Sequence, residues 1–483
     1  MDKRVASVEV REWGNLIGGE FRTSGELLEV RSPYDNSLVA NTFWAPEKDI
    51  EEAIQLAQAA FAELAAVPTY RRAEILRKMS AGVESRQEEL VRMMALEAGK
   101  PRKAGRAEVE RAIFNLRNAS EEAQRIEHEF IALDLLPAGK GRWGIVRRFP
   151  IGPILAITPF NFPLNLVAHK VAPALAAGNA VVQKPSPRTP ICSLILAEIA
   201  LDAGVPAGAV NVVSCSNQLA ERLVADERFK LLTFTGSGDV GWRLKTRAGK
   251  KRVLLELGGN AGVIVHSDAD LDSAADRCVR GGFSYSGQSC ISVQRIFVHR
   301  PVLDPFLTAF VDRVRALQLG DPLDEGTDIG PLISPDAVQR VESLVNEAIA
   351  GGAKALTGGK RQQTIYYPTV LTGTHPKMQV NCAEVFGPVV TVEPYDSFEK
   401  ALAEVNDSPY GLQAGVFTRD LKAVFHAFDD LKVGGVIVND VPSFRVDHMP
   451  YGGVKDSGLG REGARYAIEE MTERKILVLN LGG

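Results

Sequence analysis

Cysteine is scarce in this chain, with five residues in 483. They are Cys192, Cys215, Cys278, Cys290 and Cys382. The number is odd and no Cys-x-x-Cys pair occurs, so a disulfide framework and a zinc site are both disfavoured. We therefore expect free thiols, no metal and a location in a reducing cytoplasm.

Long apolar runs are also missing. The most apolar stretch, residues 151–182, is interrupted by prolines, His169 and Lys170, and it offers no membrane span of roughly 20 residues. The first segment, MDKRVASVEVREWG, lacks the apolar core of a signal peptide. The net charge is −4 and basic residues are dispersed rather than clustered. This pattern argues against a nucleic-acid partner and a membrane partner.

The remaining composition is that of a large globular protein, with 45% hydrophobic and 24% charged residues. The length suggests about three domains at roughly 150 residues each. Near the N-terminus, Ile50, Ile54, Ala57, Phe61 and Leu64 have helical spacing, and residues 71–100 and 103–129 are also helix-like. Strand-like segments precede these helices.

From Ile151 onward the pattern changes to strand, turn and helix. The segments PILAITPF, AVVQKP, AVNVVS and LLTFTG are short β-prone runs separated by segments rich in Ala and Leu. This alternation predicts an α/β fold with a parallel sheet and crossover helices. A second α/β stretch is predicted over residues 260–440.

A glycine-rich turn raises the first question about function. Gly236-x-Gly238-x-x-Gly241 follows an apolar run, and Glu256 lies twenty positions after the first glycine. That spacing is typical of a dinucleotide-binding turn whose acid holds a ribose. The alternative is that Glu256 takes part in chemistry.

Three further residues are candidates for a site, each with a structural alternative. Cys290 lies in the small, polar segment FSYSGQSC, whereas inert cysteines usually lie among apolar residues, as Cys192 does. Asn161, between two prolines in TPFNFP, could donate to an oxyanion or cap a loop. Lys184 follows a predicted strand and could bind a ligand or be solvated.

Taken together, these motifs resemble the aldehyde dehydrogenase superfamily. TPFNFP, LELGGN, GQSC, EVFGP and MPYGGVKDSGLGREG occur in the family's order and at its approximate spacing. The resemblance extends over almost the whole chain. It implies that Glu256 is the general base rather than a ribose ligand.

The resemblance also implies a mechanism. Cys290 would attack the aldehyde carbon as a thiolate, and Asn161 together with the Cys290 backbone N–H would stabilise the oxyanion. Glu256 would activate the water that hydrolyses the thioester. A CoA-acylating relative is an alternative, although such relatives generally lack this Glu. A noncatalytic structural relative is a second alternative, which the intact catalytic set disfavours.

NAD or NADP is the cofactor implied by the resemblance. The residues expected to contact it are Thr158, Pro159, Phe160, Lys184, Ser186, Gly236, Ser237, Gly241, Leu257, Gly258, Glu384 and Phe386. Many NAD-preferring relatives have Lys-x-x-Glu at Lys184, but this chain has Pro187 followed by Arg188. Loss of the acid removes repulsion toward a 2′-phosphate, so the choice between NAD and NADP stays open.

Substrate residues are inferred by the same resemblance: Arg111, Asn165, His169, Ser289 and Arg445, with His448 near the tunnel mouth. Asn165 and His169 suit a short polar aldehyde, and an arginine can bind a phosphonate, sulfonate or carboxylate. Arg111 could instead form a structural ion pair, and His169 could be a packed histidine. Ser289 stands where relatives that use anionic aldehydes often have a second arginine. Lactaldehyde, glycolaldehyde and phosphonoacetaldehyde are therefore expected in that order of preference.

The implied architecture has three parts. Residues 1–125 and 147–259 would form a Rossmann-like cofactor domain, and residues 260–462 an α/β catalytic domain. Residues 126–146 and 463–483 would form a small β oligomerisation arm. Its β-prone edges invite pairing across subunits, so we expect a homodimer or homotetramer.

Overall fold

The structure, a computed structural model, describes residues 11–481. The expectation about a signal peptide depends partly on residues 1–10, which lie outside this range. Within the described residues, no helix is long and apolar enough to cross a lipid bilayer.

The N-terminal third contains two hairpins, four helices and two strands of a small three-stranded sheet. The strands are β1 (Asn15–Ile17), β2 (Glu20–Arg22), β3 (Leu27–Arg31), β4 (Leu38–Phe43), β5 (Glu129–Ala132) and β6 (Arg142–Pro150). The helices are α1 (Glu47–Ala66), α2 (Thr69–Ser85), α3 (Gln87–Ala98) and α4 (Arg102–Gln124). Helix α1 buries Ile50, Ile54, Ala57 and Leu64, as their spacing predicts, while Phe61 is half-buried.

The middle third alternates strand and helix, as the sequence predicts. Its strands are β7 (Ile154–Ile157), β8 (Val181–Lys184), β9 (Val210–Val212), β10 (Leu231–Thr235) and β11 (Arg252–Glu256). Its helices are α5 (Asn165–Ala177), α6 (Ile191–Asp202), α7 (Asn217–Ala225) and α8 (Gly238–Arg247). Every residue of α5 is buried, because this helix lies between the sheet and helix α4.

The last third contains the strands of the second sheet, one strand of the first sheet (β21) and one strand of the small third sheet (β22). The strands are β12 (Gly262–Val265), β13 (Arg295–His299), β14 (Lys354–Thr357), β15 (Arg361–Gln362), β16 (Ile365–Tyr366), β17 (Thr369–Thr372), β18 (Val389–Tyr395), β19 (Gln413–Phe417), β20 (Gly435–Val438), β21 (Gly458–Leu459) and β22 (Thr472–Asn480). The helices are α9 (Leu271–Phe283), α10 (Leu303–Arg315), α11 (Pro335–Ala350), α12 (Gln379–Cys382), α13 (Phe398–Asn406), α14 (Leu421–Asp430) and α15 (Ala464–Glu470).

The first sheet has the order β2-β1-β9-β8-β7-β10-β11-β21, and the five strands from β9 to β11 are parallel. The chain runs outward from β7 in one direction through β8 and β9, and in the other through β10 and β11. The β7/β10 boundary is thus the switch point at which open α/β sheets bind ligands. Strand β21 joins this sheet from within the predicted catalytic domain by pairing with β11.

The second sheet has the order β14-β17-β18-β13-β12-β19-β20 and is parallel except for β14. Its inner strands are rich in buried Val and Ile, which is typical of a parallel sheet covered by helices on both faces. The third sheet, β22-β6-β5, is antiparallel and small. The C-terminal strand β22 therefore pairs with β6 of the same chain, from Thr472 opposite Pro150 to Asn480 opposite Arg142.

Candidate active site

A cavity of about 690 Å³ opens at the carboxyl ends of β7, β10 and β11. Asn161 follows β7, Gly236 follows β10 and Glu256 is the last residue of β11, so the parallel register brings all three to one edge. Cys290 and Glu384 reach the same cavity from the second sheet's side of the molecule. The site is therefore built where the two sheets meet.

Cys290 lies in a tight loop between α9 and β13. Tyr285 and Ser286 have φ values of 50° and 56°, and Gly287 has a φ of 68°. A Cβ on Gly287 would lie 2.2 Å from the carbonyl oxygen of Gly387, so only glycine allows this approach. Burial raises the pKa of the Cys290 thiol to about 12, while a hydrogen bond with Tyr451 acts to lower it.

The amide of Asn161 is held in place on one side. Its Nδ2 donates to the carbonyl oxygen of Gln288, two residues before Cys290, at 3.0 Å. A second hydrogen on Nδ2 remains for another acceptor. Among the described residues the backbone N–H of Cys290 has no acceptor either, so two donors are free near the thiol.

Glu256 is buried, and its Oε2 has no hydrogen-bond partner among the described residues. Burial raises the pKa of its carboxyl well above the usual value, and the negative charge of Glu462 raises it further. A carboxylate with a raised pKa and an unpaired oxygen is suited to accept a proton.

Glu462 is the first of two buried carboxylates behind the cavity. It accepts hydrogen bonds from Lys170 Nζ at 3.2 Å and from Arg445 Nη2 at 2.9 Å. Burial alone would raise its pKa, but the neighbouring charges of Lys170 and Arg445 outweigh burial and lower it. Glu462 is therefore ionised, and Arg445 is fixed beside the cavity.

Asp447 is the second carboxylate, and it accepts hydrogen bonds from side chains on two helices. Arg111 donates to it from α4 through Nε at 3.0 Å and through Nη2 at 2.7 Å. Asn165 Nδ2 lies 3.2 Å and His169 Nε2 lies 2.7 Å from its Oδ1. Burial lowers the pKa of His169, so the imidazole is neutral and we assign its proton to Nε2, where it donates to Asp447.

The proposed cofactor region has features that fit a dinucleotide. Ser237 precedes α8 without capping it through its side chain, so the first N–H groups of that helix are open toward the cavity. A Cβ on Gly258 would lie 2.5 Å from Glu384 Oε2, so glycine is needed for this close approach. Burial raises the pKa of Glu384 to about 7. Phe160 and Phe386 meet edge to face, with ring centroids 5.9 Å apart.

Lys184 lies at the end of β8, as expected, and is buried. Its Nζ contacts only the carbonyl oxygen of Pro185, at 3.3 Å, among the described residues. Burial lowers the pKa of this amine. The unused donor capacity of Nζ fits a ribose hydroxyl or a phosphate oxygen.

Most of the residues expected at the site line the cavity. They are Arg111, Pro159, Phe160, Asn161, Asn165, Gly236, Ser237, Glu256, Leu257, Gly258, Ser289, Cys290, Glu384, Phe386 and Arg445. Thr158, Lys184, Ser186, Gly241 and His169 are not part of the lining. Gly241 packs against Leu257, and His169 is buried one turn after Asn165 on α5. His448 is exposed beside Phe114.

Sequence reasoning did not single out Tyr451, Asp447 or Glu462. Tyr451 and Glu462 belong to the quoted motif MPYGGVKDSGLGREG, and Asp447 precedes it by two positions. Their glycine neighbours are a signal that could have identified Tyr451 and Glu462. Glycines in such a motif often mark a close approach of the backbone to a ligand, so the charged or hydroxyl side chains next to them are candidates for the site. The partners of these residues lie far away in the chain, so their contacts required the fold.

The sequence matches the aldehyde dehydrogenase family model over residues 21–477. It is 44% identical to a 3-sulfolactaldehyde dehydrogenase of Priestia megaterium, covering 98% of this chain and 99% of the relative. Aldehyde dehydrogenase 21 of Physcomitrella patens, solved with its reaction product succinate, has a TM-score of 0.96 at 45% identity, covering 98% of this chain and 100% of that one. A glyceraldehyde-3-phosphate dehydrogenase of Methanocaldococcus jannaschii, solved with NADP, has a TM-score of 0.91 at 38% identity, covering 95% and 99%.

Proposed function

The chain belongs to the aldehyde dehydrogenase family and is an NAD(P)-dependent aldehyde dehydrogenase, and we propose that its substrate is a short aldehyde with an anionic group at its far end. Its fold is that of the family. When bound, NAD(P)⁺ supplies the acceptor for the hydride that leaves the substrate carbon. The observation that supports the substrate class is the pair Arg111 and Arg445 in the lining of the Cys290 cavity.

We assign the bond-forming step to Cys290. The thiol gives its proton to solvent water, and the thiolate forms a bond to the aldehyde carbon as the carbonyl π bond breaks, which places a negative charge on the aldehyde oxygen. The free hydrogen of Asn161 Nδ2 and the Cys290 N–H would both donate to that oxygen. Loss of the hydride then leaves a thioester on Cys290.

The thioester would be hydrolysed with Glu256 as the general base. Glu256 takes a proton from water, the water oxygen attacks the thioester carbon, and the bond to sulfur breaks to release the carboxylic acid. The raised pKa and the unpaired Oε2 of Glu256 support this role. Its presence also disfavours transfer of the acyl group to CoA.

The two arginines of the cavity wall favour an anionic substrate. They pair with two buried carboxylates, Asp447 and Glu462. Neither Arg111 nor Arg445 uses its Nη1 for a hydrogen bond among the described residues. Each guanidinium therefore retains a donor for a sulfonate or carboxylate oxygen.

Two of the similar proteins have names that fit this class without deciding the compound. One is named for 3-sulfolactaldehyde and another was solved with succinate, so both names refer to molecules with an anionic end group. Lactaldehyde and glycolaldehyde lack that group, so we rank them below anionic aldehydes as candidate substrates. Ser289 carries no charge, so Arg111 and Arg445 would bind the anionic group of the substrate.

The test is a panel of aldehydes of equal length that end in sulfonate, carboxylate, phosphonate or a neutral hydroxyl, each with NAD and with NADP. Arg111→Gln should raise KM at least about tenfold more for the anionic aldehydes than for the neutral one. Arg117→Gln is the matched control, because Arg117 is an exposed residue on the same helix. Equal effects of Arg111→Gln on all aldehydes would contradict the proposal.

The cofactor region supports use of both NAD and NADP. Within residues 11–481, Lys184 presents an amine without an acidic partner, and Pro187 stands where an acid would repel a 2′-phosphate. A relative of similar fold was solved with NADP.

A homodimer or homotetramer is proposed from the exposed strand β22. Ile476, Leu477 and Val478 are 47%, 55% and 48% exposed, so apolar side chains are open on both faces of the strand. An ordinary solvated strand would be polar on its outer face. A second copy that covers this strand would bury those side chains.

A reducing cytoplasm is the proposed compartment. All five cysteines are free, and three of them are buried. Free thiols are typical of proteins that remain in a reducing compartment.

A further inference from the structure

The hydroxyl of Tyr451 lies 3.1 Å from the sulfur of Cys290. Tyr451 is 2% exposed, and Cys290 is half-buried beside it in the cavity wall. Its ring packs with Ile291 and Leu412 in a small apolar cluster that also contacts Cys290. The position of the hydroxyl is therefore set by packing on the ring.

Either atom of this pair could donate in the resting enzyme, but ionisation of the thiol decides the direction. Burial raises the pKa of Tyr451 well above its usual value, and the adjacent thiol raises it further. The phenol therefore keeps its proton when the thiol loses its own. A thiolate has no hydrogen to give, so the Tyr451 O–H must be the donor.

Arg445 reinforces this donor by stacking over one face of the tyrosine ring. Its guanidinium carbon lies 3.6 Å from the Tyr451 ring centroid. A cation over a phenol ring withdraws electron density, which strengthens the O–H as a donor. Glu462 fixes the guanidinium through the 2.9 Å hydrogen bond from Nη2.

We propose that Tyr451 is a catalytic residue whose hydroxyl donates a hydrogen bond to the Cys290 thiolate, with Arg445 as a positioning residue that acts through the tyrosine ring. This inference rests on the proposed role of Cys290 as nucleophile. No proton is transferred between the two residues. The phenol stabilises negative charge on sulfur before attack and again when the thioester bond breaks.

The need for such a donor follows from the surroundings of the thiol. Burial raises the pKa of Cys290 to about 12, which disfavours the thiolate at neutral pH. Hydrogen bonds to charged groups are about twice as strong as those between neutral groups. Phenylalanine would fill the same volume at position 451 and would leave the thiolate without this donor.

The experiment is the pH dependence of Cys290 alkylation by iodoacetamide, which requires neither aldehyde nor cofactor. The modified Cys290 peptide is quantified by mass spectrometry, which separates it from the half-buried Cys382. In Tyr451→Phe the apparent pKa of alkylation should rise by at least about one unit, and the rate at fixed pH should fall about tenfold. Tyr366→Phe is the control, because Tyr366 is a buried tyrosine in another core cluster. Its profile should match the wild type.

An unchanged or lowered alkylation pKa in Tyr451→Phe would overturn the proposal, because a thiol that donates to the phenol would ionise more easily once its acceptor is lost. If Tyr451→Phe does not fold, replacement of Tyr451 by 3-fluorotyrosine keeps the packing and strengthens the donor. The apparent pKa of Cys290 should then fall, and a rise or no change would contradict the proposal. Failure of the proposed function would appear separately, as wild-type enzyme that oxidises no aldehyde in the panel.

Discussion

Arg111 and Asp447, which are 336 positions apart in the chain, form two parallel hydrogen bonds at the cavity wall. The Asp447 side chain is 1% exposed, whereas that of Arg111 is 28% exposed and reaches the cavity. The ion pair thus anchors the arginine at one end and leaves Nη1 free at the other. Both sequence interpretations of Arg111, ion-pair residue and substrate ligand, are compatible with this geometry.

Asp447→Asn should destabilise the protein, because the amide cannot balance the charge of Arg111 or accept both of its bonds. We expect the free energy of unfolding to fall by about 3 kcal/mol, measured by urea denaturation. Hydrogen bonds from His169 and Arg111 outweigh burial and lower the pKa of Asp447 in the folded protein. The loss of stability in Asp447→Asn should therefore be full above the ordinary pKa of aspartate and should shrink as the pH falls below it. Asp312→Asn, at an exposed position, should change stability by less than about 0.5 kcal/mol. Equal effects of the two substitutions would contradict the structural role.

Glu462→Gln should shift the pH dependence of turnover. Burial and the charge of Glu462 raise the pKa of Glu256, and a general base works only when ionised, so kcat should rise with pH through that pKa. Removal of the neighbouring charge lowers the pKa of Glu256, so the acidic limb of the profile should move to lower pH. Initial rates between about pH 5 and pH 9 measure this shift. If the acidic limb moved to higher pH in Glu462→Gln, or moved equally in Glu470→Gln, the proposed effect of Glu462 on the pKa of Glu256 would be contradicted.

Pro187→Glu should change the choice of cofactor. The new carboxylate, three residues after Lys184, would repel a 2′-phosphate but would accept hydrogen bonds from ribose hydroxyls. We expect kcat/KM with NADP to fall on the order of tenfold or more relative to NAD. Pro187→Gln removes the ring without adding charge and serves as the control. Loss of activity with both cofactors in equal measure would argue against a ribose site here.

Leu477→Asp should weaken assembly. The side chain is 55% exposed on β22, and a charge there could not be buried against a second copy without a large desolvation cost. Multi-angle light scattering should show a smaller species than the wild type. Tyr70→Asp is the control, because Tyr70 is 61% exposed in the first turn of α2, where an acid is tolerated. An unchanged mass for Leu477→Asp would remove β22 from the interface.

The sequence was most informative where a pattern repeats over several residues. The four β-prone runs from Ile151 became the parallel strands β7 to β10, because buried parallel strands need continuous apolar runs and short connections. By contrast, the break at Arg86 between α2 and α3 was not predicted, since no Gly or Pro marks it. Pairing of β22 with β6 in the same chain was also not expected, because strand partners depend on the whole topology.

The sequence predicted three residues that the fold brings to one cavity, but it did not predict the charged residues that pack behind them. Cys290, Glu256 and Asn161 belong to motifs with fixed spacing, and the fold brings all three to one cavity. The ion pairs of Asp447 and Glu462 could not be predicted, because their partners lie on α4 and α5, several hundred residues earlier. A charge that is buried and paired looks the same in a sequence as a charge in solvent. Burial of Tyr451 against Cys290 likewise depends on the packing of distant loops.

The most direct measurement is a rapid-mixing experiment that follows reduced cofactor at its absorbance maximum during the first turnover. The proposed mechanism predicts that Glu256→Gln retains a burst of about one equivalent per active site followed by slow release, because acylation at Cys290 precedes the step that needs the base. Cys290→Ala should show neither burst nor turnover. A burst in Cys290→Ala, or the absence of one in folded Glu256→Gln that still binds cofactor, would contradict the assignment of nucleophile and base.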